Sequence, residues 1–144
     1  VSKKDRFHAA QFTPTKWSNA EDKAKFANWL AQFLTDGCPL GRWSVSKYRI
    51  LCQMFGFIAH YDAGGFWENR FATPAARYST VYQMLHQSSF GDPAHTWSDV
   101  ERVIRVFILE ERLEERYRGE HEKSVEEAEE AQLKALKAKY PDRR

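Results

Sequence analysis

Residues Ser18–Gly37 read SNAEDKAKFANWLAQFLTDG. Phe26, Trp29, Leu30, Phe33 and Leu34 recur three and four residues apart, which places them on one face of an α-helix. Ser18 followed three residues later by Glu21 predicts a capping box at the helix start. Gly37 supplies the terminator, because a glycine tolerates the left-handed backbone that closes a helix. A helix apolar on one face needs a partner, and the search for that partner organises the rest of the chain.

The segment after the Cys38-Pro39-Leu40-Gly41 connection supplies it. Ser44 or Ser46 caps a second helix expected to run to about His60. Tyr48, Leu51, Cys52, Phe55, Ile58 and Ala59 form one arc, and Ile50, Met54 and Phe57 widen it. Only Arg49, Gln53, Gly56 and His60 leave a polar strip, so this helix is expected at the centre of the fold. Asp62-Ala63-Gly64-Gly65 ends it. Thr73-Pro74 is an N-cap and first-turn pair for a third helix carrying Tyr78, Val81, Tyr82 and Leu85. Ser98 and Glu101 form a second expected capping box, before a helix that buries Val100, Val103, Ile104 and Phe107.

Beyond Phe107 the apolar positions swing to Val106, Leu109, Leu113 and Tyr117, a seam facing a second surface. Gly119 reads as an interruption, with Ser124 and Glu127 able to cap a new helix. No segment alternates as a strand does. The class is all-α: a compact bundle of about four helices with a long charged C-terminal helical extension. Three regions follow: a basic N-terminal arm over residues 1–17, a helical body over 18–118 and a charged C-terminal helix over 119–144.

The chain has 144 residues, 42% hydrophobic and 15% aromatic, enough apolar surface for one ordinary core. The net charge of +2 implies no partner by itself. No apolar run approaches a membrane span and no apolar leader precedes Ser18, so the expectation is a cytoplasmic chain without membrane contact. Two cysteines, Cys38 and Cys52, are too few and too far apart for a metal or disulfide framework. They are expected as reduced, mostly buried thiols.

Three regions carry possible chemistry. Residues Phe55–Phe71 read FGFIAHYDAGGFWENRF. His60, Asp62 and Glu68 around a glycine turn suit an acid–base or metal site, but no HExxH or CxxC spacing supports it. The favoured reading is an aromatic corner folded over the core, with no catalytic residue, metal or cofactor. The second region is GRWSVSKYR, in which Arg42, Lys47 and Arg49 flank Trp43 and lead to Gln53 and His60. Cations beside an aromatic ring suit phosphate contact with base stacking. The third is the seam Val106, Leu109, Leu113 and Tyr117, a surface for a partner helix or a second copy.

The run Ser44–Trp67 resembles small proteins of bacterial plasmids and phages. Its first six residues, SVSKYR, resemble helix starts in small α-helical subunits of RNA-guided defence complexes. The resemblance brings no activity with it. The expectation is a non-enzymatic accessory or regulatory protein that binds nucleic acid, or a nucleoprotein complex, through the basic-aromatic residues. The alternatives are a protein-binding inhibitor or self-associating scaffold acting through the C-terminal helix, and an enzyme centred on His60.

Overall fold

A computed structural model describes residues 6–42, 44–54, 70–86 and 91–140. Among the described residues five α-helices follow one another: α1 (Ala20–Thr35), α2 (Val45–Met54), α3 (Pro74–His86), α4 (Ser98–Glu110) and α5 (Leu113–Lys139). Short 3-10 turns occupy Ala9–Gln11 and Leu40–Arg42. The fold is all-α, and no strand occurs among the described residues. The most extensive contact joins α3 to α5, while α4 touches each of the other four helices.

α1 buries the expected face: Phe26, Leu30, Phe33 and Leu34 are in the core, with Ala27 between them. Its rings run on as an aromatic row. Trp97 meets Phe26 edge-on, Phe26 and Phe33 stack on Trp29, and Phe33 meets Phe71 edge-on. Leu51 and Met54 of α2, Val81 and Met84 of α3, and Val100, Ile104 and Phe107 of α4 complete the core. Each fully buried large apolar side chain contributes about 1.5–3 kcal/mol, and this burial holds the helices together.

Helix ends depart from expectation in two places. α1 is capped by Asn19, not Ser18: the Asn19 side chain accepts the Asp22 N–H at 2.7 Å. Ser18 instead accepts the Thr15 N–H at its carbonyl, closing a turn before the helix. Asn and Ser cap equally well, so the preceding turn decides between them. The Ser98–Glu101 box does not form either. The Ser98 hydroxyl donates to the Gly91 carbonyl at 3.1 Å, and the Asp99 carboxylate accepts the Val100 N–H at 2.9 Å. Thr73 does cap α3, accepting the Ala76 N–H, and Ser44 does cap α2, accepting the Lys47 N–H. The stretch of α2 expected beyond Met54 lies outside the described residues.

Residues 6–17 of the N-terminal arm pack on the body. Phe7 and Phe12 are buried. The Asn28 side chain accepts from Phe7 N–H and donates to Phe7 C=O, at 2.9 and 2.8 Å. Thr13 N–H donates to Asp99. Two aromatic anchors and these hydrogen bonds outweigh the ordering of a short segment. Trp17, by contrast, stays 82% exposed.

α5 runs unbroken through Gly119; the interruption lies earlier, at Glu111 and Arg112. Arg112 adopts left-handed φ and ψ of 54° and 40° and turns the chain from α4 into α5. This junction divides the expected seam. Val106 and Leu109, on α4, are 49% and 61% exposed. Leu113 and Tyr117, on α5, point into the core, at 3% and 0%. One continuous helix would have kept all four together; a left-handed residue between them rotates the second pair inward.

Candidate functional site

An open depression of about 830 Å³ lies against α1. Lys25, Asn28, Trp29, Gln32 and Asp36 come from α1 or its end, Arg6 from the arm, Arg42 from the second 3-10 turn, and Phe107 and Glu111 from the end of α4. Four separate segments therefore meet here. The sequence brought forward Arg42 and the basic arm that carries Arg6, but not Lys25 or Trp29, which lie in the first helix, away from the GRWSVSKYR cluster.

Two of the cations are held by carboxylates. Arg6 pairs with Glu111 at 3.2 Å and lies over the Phe107 ring, 4.6 Å from its centroid. Arg42 pairs with Asp36, which also accepts from the Gln32 amide at 2.7 Å. Two others are not. Lys47 places its ammonium over the half-buried Trp29 ring, 4.6 Å from the centroid, a cation–π contact. Burial first, and the neighbouring Lys25 charge second, hold the Lys47 pKa below the ordinary lysine value. Neither lysine pairs with a carboxylate among the described residues. The depression and its edge thus carry two lysines that feel each other's charge, one on an aromatic face, with no described carboxylate paired to either.

Of the remaining expected binding residues, apart from the C-terminal seam, only Arg49 has a described side chain. Arg49 is exposed and two residues beyond Lys47, on the other side of α2. Trp43, His60 and the side chain of Gln53 lie outside the described residues, as do Asp62 and Glu68 of the glycine corner. Among the described residues no group of three or more His, Cys, Asp or Glu side chains could hold a metal ion. None of their helices is long and apolar enough to cross a membrane.

Two buried polar clusters that the sequence reading missed support this side of the molecule. Lys23 is fully buried, and its ammonium donates to the Pro93 and Thr96 carbonyls at 2.9 and 2.8 Å and to both Asp99 oxygens at 3.0 and 3.2 Å. A signal was present: Lys23 stands three, seven and ten residues before Phe26, Leu30 and Phe33, in the middle of the apolar stripe. A lysine in that register must find partners inside.

The second cluster closes the C-terminus of α1. Cys38 N–H donates to Phe33 C=O at 2.9 Å across Gly37, whose φ is +91°. The Tyr117 hydroxyl donates to Leu34 C=O, and Arg116 donates to Thr35 C=O at 2.7 Å. Because the phenol proton is engaged with Leu34, the Cys38 thiol is the donor in its 3.4 Å contact with the Tyr117 oxygen. Burial pushes the Cys38 thiol up to about 11 and raises the Tyr117 phenol well above the tyrosine range. Both groups stay neutral. Cys38 is a structural thiol here and not a nucleophile, since reactivity needs the thiolate.

The chain matches no protein-family model, no curated protein and no solved structure.

Proposed function

We propose that this protein is a non-enzymatic binding protein that takes nucleic acid, alone or within a nucleoprotein complex, in the depression beside α1. The observation that carries this reading is the Lys47 ammonium resting on Trp29 beside a depression that Lys25, Arg6 and Arg42 line, with neither lysine paired to a described carboxylate. A phosphate between the two ammonium groups relieves their mutual repulsion and gains charge-assisted hydrogen bonds. Arg6 and Arg42 add positive potential at the rims, and their carboxylate partners set their positions. Arg49, on the other side of α2, is outside this patch.

The test is a fluorescence-anisotropy titration with labelled single- and double-stranded oligonucleotides at two salt concentrations. Binding is expected to weaken steeply with salt. Lys25→Glu and Lys47→Gln are each expected to weaken it and to reduce the salt slope by about one. Arg102→Gln, at an exposed position of α4 outside the lining of the depression, serves as the control and is expected to change little. Absence of binding at low salt, or equal binding by the Lys25 and Lys47 variants while they remain folded, rejects the reading.

A further inference from the structure

The distal half of α5 has a defined chemistry and is exposed along its length. α5 packs on α3 through its first turns: His86 meets Glu114 at 2.8 Å, and the Tyr78 ring stacks on His121 with centroids 6.0 Å apart. This antiparallel contact ends near Ser124, where α3 begins. Every residue from Val125 to Tyr140 is exposed. At 1.5 Å per residue, that stretch extends about 24 Å beyond the body.

Four large apolar side chains lie on this projecting segment: Val125, Leu133, Leu136 and Tyr140, 44–53% exposed. Offsets of eight, eleven and fifteen residues put them on one side of the helix. The charges along the same segment are polarised. Residues 120–131 hold six glutamates against Lys123, a net charge of −5. Residues 132–140 hold Lys134, Lys137 and Lys139 and no acid, a net charge of +3.

We infer that the projecting half of α5 is a self-association surface, and that its occupant is the same segment of a second copy lying antiparallel. A two-fold axis close to Leu133 then sets Val125 beside the partner's Tyr140 and brings the two Leu133 side chains together. The acidic half of each helix faces the basic half of the other. A parallel pair would stack glutamates on glutamates and lysines on lysines, which is destabilising, so the charge order selects the orientation. Because the antiparallel contact is isologous it closes at two chains. A helix exposing four apolar side chains and a complementary charge gradient is satisfied by its own copy without any other molecule.

The test uses the full chain. Sedimentation or light scattering over a concentration series is expected to show a mass rising from the monomer's 16.9 kDa toward twice that value, more weakly at high salt. Leu133→Lys with Leu136→Lys is expected to abolish the rise while thermal unfolding of the body is unchanged, since neither side chain touches it. Lys134, Lys137 and Lys139→Glu is expected to be monomeric alone. It should pair when mixed with a chain carrying Glu126, Glu127, Glu129 and Glu130→Lys. Orientation is read by oxidative cross-linking, judged against the unsubstituted chain. Leu133→Cys is expected to link to itself, and Val125→Cys to link to Tyr140→Cys but not to itself. A monomer at every concentration, a doubled mass that survives the leucine substitutions, or self-linking by Val125→Cys overturns the proposal.

Discussion

The phenol of Tyr117 and the guanidinium of Arg116 fill carbonyl positions that the last turn of α1 leaves without backbone partners. Removing the hydroxyl alone, in Tyr117→Phe, leaves the buried Leu34 carbonyl unsatisfied. It is expected to lower stability by about 1–3 kcal/mol in urea unfolding. A change below about 0.5 kcal/mol would mean that another donor replaces it. The same cluster sets a pH dependence. The Cys38 thiol ionises near 9.0 when unfolded and near 11 when folded. Its contribution is therefore fully present below 9, because both states are protonated there. It is lost as pH rises through 11, because the unfolded chain releases its proton first. Cys38→Ala is expected to flatten this alkaline loss when unfolding midpoints at neutral and alkaline pH are compared. An equally steep loss in the variant would place its origin elsewhere.

At the scale of elements, the break in the C-terminal third fell at a different residue from the one its composition suggested. Gly119 is a weak helix former, but the Arg116–Glu120 ion pair spans it and a second pair, Glu114 with Arg118, ends just before it. One glycine costs a helix only about 1 kcal/mol, which neighbouring turns and the packing of Leu113 and Tyr117 offset. The actual break uses Arg112, a residue with no sequence signal for a left-handed conformation. A Cβ added at Gly119 meets nothing within 4 Å. Gly119→Ala is accordingly expected to stabilise the protein by about 0.5–1 kcal/mol, read as a raised thermal midpoint. A lowered midpoint would show that something covers this face of α5.

At the scale of the molecule, Lys23 and Asp99 join what would otherwise be separate pieces: the arm through Thr13, α1 through Lys23, the loop through Pro93 and Thr96, and α4 through Asp99. Lys23→Met strips one charge from a buried pair and leaves two carbonyls without their donor. A loss of about 3–5 kcal/mol is expected, with part recovered when Asp99→Asn is added. Additive losses in that double-mutant cycle would mean the pair does not act as a unit. The arm should loosen with it, since Thr13 shares the same carboxylate.

The all-α class, the α1 face, and the caps at Ser44, Thr73 and Gly37 were all legible along the chain, because helix period and end chemistry are local. So was the buried register of Lys23, although reading it required asking what a charge does in an apolar stripe. The depression beside α1 was not legible. Arg6, Lys25 and Arg42 are spread over the first third of the chain and meet only once the arm docks on α1, and Lys47 reaches Trp29 only once α2 turns back on α1. In the linear cluster around Trp43, by contrast, Lys47 and Arg49 separate onto opposite sides of one helix. The sequence by itself determined the helices and the faces they bury, since hydrophobic periodicity acts within a few turns. Which charges share a site, and which apolar residues remain exposed, was decided only by the tertiary structure, because both depend on the relative rotation of elements that are distant in sequence.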